Sequence, residues 1–268
     1  MKLAFIGGGA MGEAILACVL NKGLALPTEI TVSDVSQSIL KRLKDQHSIA
    51  TTSDNKAACE GASIVILAIK PQNLSSVLAE IKGILIEPQL VLSIIAGATL
   101  STLTHGLGHN CVVRVMPNIA AKVGEAVSLW TATPQVTSQQ KEAARSLLAT
   151  LGTEIYTPEE KYLDMSTAVN GSGPAYVFLF IESLIDAAVH IGLPREIASG
   201  IVLQTILGSA KLAKESGLHP AELKNQVTSP GGTTAEALLR LEEGGFRALL
   251  TKAVQAAYDK SRGLGQTK

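Results

Sequence analysis

Net charge, aromatic side chains and cysteines are all scarce in this chain, and each scarcity excludes something. Lys and Arg together number 23, as do Asp and Glu, so the formal net charge is zero. Without a broad basic field, neither nucleic acid nor an anionic membrane is an expected partner. Aromatics make up only 3% of the 268 residues, against 46% hydrophobic overall. The core must therefore be built from Ala, Leu, Ile and Val, which suits a parallel sheet covered by closely packed helices. The three cysteines, Cys18, Cys59 and Cys111, form an odd set without metal-type spacing. Neither a disulfide framework nor a metal site is expected, and a reducing cytoplasm fits. No uninterrupted apolar run reaches the roughly 18 residues of a membrane helix. The nearest stretch, residues 175–193, carries Glu182, Asp186 and His190 and reads as part of a soluble protein. Met1-Lys2 before an apolar stretch superficially resembles an export signal, but Gly7-Gly8-Gly9 and Glu13 interrupt it.

What is present begins with glycine. Residues 3–6 form a short apolar run that ends in Gly7-Gly8-Gly9-Ala10-Met11-Gly12, and Gly7, Gly9 and Gly12 match G-x-G-x-x-G. Helical spacing follows, as it must if the turn is to deliver a pyrophosphate to a helix N-terminus. A second strand, residues 29–33, ends at Asp34, at about the 20-residue distance where an acidic side chain binds ribose hydroxyls. Strands over residues 62–69, 89–95 and 111–116 follow, ending in Ile69-Lys70-Pro71, Ile95-Ala96-Gly97 and Met116-Pro117-Asn118. Ligands of open α/β sheets sit beyond such carboxyl ends. Residues 126–131 and 152–157 read as further strands flanking a helix at 137–151. A Rossmann-type domain over residues 1–157 is the expectation. The Lys70 side chain reads as a solvated loop charge. Arg114, inside an apolar strand, is either a ligand contact or a buried ion-pair residue. Asn118 either caps the next turn or hydrogen-bonds near the nicotinamide.

From Lys161 onwards no period-2 pattern recurs. Asn170-Gly171-Ser172-Gly173-Pro174 reads as a helix-starting turn with Pro early in the helix. The helix over residues 175–191 is apolar on most sides, so it is buried within a domain or between subunits. His190, near its end, reads as structural. Helices over 195–216, 222–227, 234–243 and 246–262 complete a bundle that looks small to stand alone, and a homodimer is expected. Thr228-Ser229-Pro230-Gly231-Gly232-Thr233-Thr234 is its most informative stretch. Two readings apply. Glycines before a helix start open backbone N–H groups to an anion such as a carboxylate. Alternatively, this is a Pro-Gly turn with Thr233 or Thr234 as N-cap and Glu236 in a capping box.

In order along the chain, these motifs resemble pyrroline-5-carboxylate reductase. They are residues 5–11, Ile69-Lys70-Pro71, Arg114-Val115-Met116-Pro117-Asn118, Gly171-Ser172-Gly173-Pro174-Ala175-Tyr176, the 228–234 loop and Leu241-Glu242-Glu243-Gly244-Gly245-Phe246-Arg247. The resemblance covers essentially the whole chain. It implies an α/β architecture, with an N-terminal Rossmann-type dinucleotide-binding domain (1–157) followed by an all-α dimerisation and substrate-binding domain (158–268). It also implies a homodimer, which in some members joins into a ring of dimers. The implied activity is reduction of L-1-pyrroline-5-carboxylate to L-proline by hydride transfer from NADPH or NADH, the last step of proline biosynthesis. Cofactor contacts are implied at Ile6, Gly7, Gly8, Gly9, Ala10, Met11 and Gly12, at Ser33, Asp34 and Asn55, and at Ala68, Ile69, Lys70, Pro71, Ala96, Gly97 and Asn118. Substrate contacts are implied at Ser229, Gly231, Gly232, Thr233 and Thr234, with the Thr234 hydroxyl on the ring nitrogen. A protonated imine is already electrophilic, so no metal or strong base is required.

Asp34 leans towards NADH, because its charge repels a 2′-phosphate and Val35 stands where an Arg would help. Ser33 and Ser36 can contact that phosphate, so both cofactors stay open. A β-hydroxyacid dehydrogenase shares the two-domain plan but relies on a Lys in the long helix, and no Lys lies between Lys161 and Lys211. A catalytically silent dinucleotide sensor is the other alternative, and the intact carboxylate-type loop argues against it.

Overall fold

The structure is a computed structural model that describes residues 1–264. Its strands are β1 (Leu3–Ile6), β2 (Ile30–Ser33), β3 (Ala50–Thr52), β4 (Ile64–Leu67), β5 (Leu90–Ser93), β6 (Val112–Met116), β7 (Ala126–Ala132) and β8 (Gly152–Tyr156). They form one sheet in the order β3-β2-β1-β4-β5-β6-β7-β8. All neighbours pair in parallel except β6 and β7, which run antiparallel. Strands β1, β4 and β5 are buried at every residue, as expected of central parallel strands covered on both faces. Alternation along β1 divides the core. Leu3 and Phe5 join Ile15, Val19, Leu43, Trp130 and Leu147 on one face, and Ala4 and Ile6 join Leu78, Ile81, Leu103 and Leu107 on the other.

The helices are α1 (Ala10–Asn21), α2 (Gln37–His47), α3 (Asn55–Cys59), α4 (Leu74–Ile81), α5 (Leu100–Leu107), α6 (Ser138–Ala149), α7 (Lys161–Ser166), α8 (Gly173–His190), α9 (Arg195–Ser216), α10 (Pro220–Gln226), α11 (Thr233–Glu243) and α12 (Phe246–Leu264). Several of their starts follow capping chemistry. Ser36, Asp54 and Thr99 accept first-turn N–H groups, and Thr137 forms a capping box with Gln140. Five expected strands are shorter than read; in 62–69 and 89–95 the apolar pattern runs past the hydrogen-bonded ladder into the loops at the carboxyl ends.

One expectation is corrected. Asn170-Gly171-Ser172 is not an open turn before a helix, because residues Thr167–Gly171 form a π-helical turn. The Ser172 N–H reaches the Thr167 carbonyl at 2.9 Å. This wide turn follows α7, so the helical run extends over Lys161–His190. By length and composition that run could cross a membrane, with a mean hydropathy of 1.3 over its best 18 residues.

Contacts gather the chain into two units, Met1–Ser172 with the segment from Ala257, and Gly173–Ala256. The first holds both core faces. Within the second, only Ala198 and Val202 are buried.

Candidate active site

The glycine turn after β1 is shaped by what a side chain would strike. Gly7 has φ +103°, and a Cβ there would lie 2.6 Å from the Ala68 carbonyl oxygen. A Cβ on Gly12 would lie 2.3 Å from the Gly7 carbonyl oxygen. Both positions serve close packing of backbone on backbone. Gly9 differs: it is the N-cap of α1, no side chain caps it, and a Cβ there would meet nothing within 4 Å. The turn therefore leaves open the side on which a pyrophosphate approaches the α1 N-terminus. Gly8 has a role the sequence did not reveal. Its Cβ would collide with Leu43 Cδ1 at 2.7 Å and Ile39 Cγ2 at 2.9 Å, so α2 rests directly on the turn.

Asp34 ties the end of β2 to the same turn. Its carboxylate accepts the Gly8 N–H at 2.8 Å and the Ser36 N–H at 2.9 Å. Ser33 is buried and donates to Asn55 Oδ1 at 2.7 Å, while Asn55 Nδ2 donates to Glu80 at 2.8 Å. Ser33, Asp34 and Asn55 thus meet at one corner. Of the α2 cations, Lys41 pairs with Asp45 and Arg42 with Glu13. Ala68 and Ile69 are half-buried beside Gly7, whereas Lys70 and Pro71 are exposed. Ala96 is half-buried and Gly97 is buried with φ +77°.

On the other side of the turn, Met11, Ile94, Met116, Pro117, Asn118, Ile119 and Gly171 line a cavity of about 270 Å³. It lies at the carboxyl ends of β5 and β6, where the nicotinamide half of a dinucleotide would sit. A larger cavity of about 470 Å³ lies along the flank of α1, against Gln46, His47 and Lys122. None of its lining residues comes from the carboxyl ends of β4, β5 or β6, so the smaller cavity is the one placed for chemistry.

Of the two open questions around β6, that of Arg114 resolves towards structure. Arg114 is an ion-pair residue: its Nη1 meets Glu160 at 2.8 Å and its Nη2 meets Asp164 at 2.6 Å. Asn118 caps the following turn through the Ala120 N–H at 3.1 Å, and its Nδ2 donates to Asn170 Oδ1 at 2.7 Å. Asn170 is the residue that sequence reasoning missed at this end, since a π-helical turn leaves no mark in apolar periodicity.

The 228–234 loop is built by hand-offs between backbone groups. The Thr228 hydroxyl ends α10 on the Lys224 carbonyl at 2.6 Å, and the Gly232 N–H returns to the Ser229 carbonyl at 3.0 Å. Gly231 takes φ +68°, the left-handed region that favours glycine. The N-cap of α11 is Gly232, with no side-chain cap. This corrects the turn-only reading, because neither Thr233 nor Thr234 is the N-cap. Glu236 is paired with Arg240 at 2.8 Å instead of closing a capping box. Without a side-chain cap, the first-turn amides of α11 are left to solvent or ligand.

A family model described as pyrroline-5-carboxylate reductase dimerisation matches residues 160–264. A second, described as NADP oxidoreductase coenzyme F420-dependent, matches residues 2–97. The chain is 42% identical over 266 residues to a pyrroline-5-carboxylate reductase of Methanosarcina acetivorans, covering 99% of this chain and 98% of the relative. It is 39% identical over 267 residues to that of Escherichia coli, covering 99% of each. Among solved structures, a Plasmodium falciparum pyrroline carboxylate reductase with NADP bound superposes with a TM-score of 0.91 at 35% identity, covering 99% of this chain and 98% of that one. A Mycobacterium tuberculosis 3-hydroxyisobutyrate dehydrogenase, at TM-score 0.51 and 14% identity over 87% of this chain and 71% of that one, shares the fold alone.

Proposed function

The chain belongs to the pyrroline-5-carboxylate reductase family, and from that premise we propose how its own residues divide the work. The protein is an oxidoreductase that reduces L-1-pyrroline-5-carboxylate to L-proline with NAD(P)H, completing proline biosynthesis. Reduced nicotinamide, when bound, supplies the hydride for the imine carbon. Residues 1–157 are the cofactor domain. Gly7 to Gly12 receive the pyrophosphate, Ser33, Asp34 and Asn55 the adenosine half, and Ile6, Ala68 to Pro71, Ala96, Gly97 and Asn118 flank the rest. Residues 158–268 provide dimerisation and substrate binding, a division supported by the family model that begins at residue 160.

The substrate loop has two tasks, anchoring a carboxylate and orienting a ring nitrogen. The N–H groups of Thr233 and Thr234 receive the carboxylate, Gly231 and Gly232 keep the approach unobstructed, and Ser229 borders it. The Thr234 hydroxyl hydrogen-bonds the ring nitrogen as it changes from imine to amine. The observation that carries this reading is the α11 N-terminus, capped by Gly232 with no side chain. We extend the proposal to a ring of dimers, and to the cytoplasm. The latter is supported by three buried free thiols, of which Cys59 is pushed up to about 11, first by burial and then by Glu80 and Asp54.

The test is loss of nicotinamide absorbance with pyrroline-5-carboxylate, for wild type and Thr234→Ala. Wild type should turn over, and the variant's kcat/KM should fall about ten- to a hundredfold, the range of one hydrogen bond to a charged group. Its melting temperature should not change. Equal activity of the variant would remove Thr234 from the site, and an inactive wild type would remove the reductase reading.

A further inference from the structure

We propose that Asn170 is a positioning residue for the nicotinamide half of the cofactor, acting through Asn118. The inference rests on the reductase reading above, and it starts from the direction of a hydrogen-bond chain. Asn170 Nδ2 faces two carbonyl oxygens, those of Met116 at 2.8 Å and Val127 at 3.0 Å. Only an amide nitrogen can face two acceptors, so the orientation of this side chain is fixed. Its Oδ1 must then accept, and the group that donates is Asn118 Nδ2 at 2.7 Å. Asn118 is thereby oriented in turn, with its Oδ1 on the Ala120 N–H at 3.1 Å. Two backbone carbonyls, at the end of β6 and in β7, thus aim the Asn118 amide nitrogen through Asn170, in agreement with the oxygen held by Ala120.

The consequence concerns the cavity that Asn118 lines with Met11, Ile94, Met116 and Gly171. An amide nitrogen has two hydrogens, and Asn170 takes one. The other remains for the cavity, where it meets the carboxamide of the nicotinamide. Were Asn170 absent, the Ala120 N–H alone would hold Asn118, and the amide nitrogen would lose the acceptor that aims its second hydrogen. The π-helical turn is what makes this possible. It inserts one residue of extra width, so Asn170 reaches the sheet, while a Cβ on neighbouring Gly171 would lie 2.4 Å from Met116 Cε. A wide turn at a functional site is a recurrent use of this element.

The test separates the two halves of the cofactor. Binding of NADH and of ADP-ribose, and of NADPH and 2′-phospho-ADP-ribose, is measured by titration calorimetry for wild type, Asn170→Ala, Asn118→Ala and the double variant. Asn170→Ala should weaken the whole dinucleotide about tenfold, the worth of one misdirected hydrogen bond, and leave the ribose fragment within about twofold. The double variant should lose no more than the larger single loss, as expected when one residue acts through the other. Equal weakening of dinucleotide and fragment, or additive losses, would overturn the proposal. If Asn170→Ala does not fold, Asn170→Ser, which keeps a polar group but cannot face both carbonyls and Asn118 at once, decides by the same selectivity. A wild type that turns over while the selectivity is missing sinks this inference and leaves the reductase reading standing.

Discussion

Asp34 carries a charge that holds two backbone N–H groups and, in the proposed site, faces the ligand. Its two oxygens hold the Gly8 and Ser36 N–H groups at 2.8 and 2.9 Å, which pins the carboxylate beside the adenosine corner. Each oxygen keeps a further lone pair for a ribose hydroxyl. A 2′-phosphate would instead bring like charge against it, while Lys41 and Arg42 are already paired and Val35 is exposed and uncharged. Asp34→Ser is therefore expected to move the ratio of kcat/KM for NADPH over NADH upwards by about tenfold or more, since like-charge contacts cost several kcal/mol. The variant should also melt lower, because two N–H groups lose a charged acceptor, at about 1–3 kcal/mol. Steady-state kinetics with both cofactors checks the first effect and a thermal melt the second. An unchanged ratio would mean that the phosphate never approaches this carboxylate.

Among the elements, α7 is fastened to the sheet by a forked contact. Arg114, in β6, is 4% exposed and reaches Glu160 with one terminal nitrogen and Asp164 with the other. Glu160 Oε1 also accepts the Leu100 N–H at 2.7 Å, so the start of α5 joins the cluster. A lysine ammonium cannot reproduce this fork. Arg114→Lys should lower stability in urea by about 3 kcal/mol, the lower end for breaking a buried pair, because both carboxylates stay partly exposed. An unchanged urea midpoint would show the cluster to be idle. Arg114 was legible in the sequence only as a charge inside an apolar strand, since its partners lie on a helix that follows two further strands. The glycine turn was more legible: an apolar run, three spaced glycines and a later acid are local signals. Gly8 was not, because its reason is packing against Ile39 and Leu43 of α2, which begins only beyond β2 and leaves no mark beside the glycines. The 228–234 loop was legible as a candidate site, but its cap was not. Hydroxyl residues usually cap helices, and here Gly232 displaces them because the preceding left-handed Gly231 sets the entry angle. The π-helical turn was illegible for a different reason, since one inserted residue leaves the composition of a helix unchanged.

At the scale of the whole molecule, the second unit is incomplete by itself. Between Gly173 and Ala256 only Ala198 and Val202 are buried, while Phe178, Leu179, Leu207 and Leu249 are each 61–63% exposed. Such a surface exceeds what a monomer in water carries. A bilayer is one way to cover it, given the apolar run Lys161–His190. Glu182 and Asp186 within that run, and the dimerisation family model over residues 160–264, favour a second copy of the chain. The chain self-associates, and the folding of its C-terminal part is then coupled to association. The melting temperature should rise with protein concentration, as mass action requires when the folded unit is an oligomer. Sedimentation should give at least twice the 27.9 kDa of one chain. Leu179→Glu with Leu207→Glu would place two charges among these apolar residues. That variant should sediment near one chain's mass, lose the concentration dependence and lose helical circular dichroism. A wild type that sediments at 27.9 kDa with full helical content would contradict this account, because an isolated unit with two buried side chains has too little apolar burial to offset its conformational entropy.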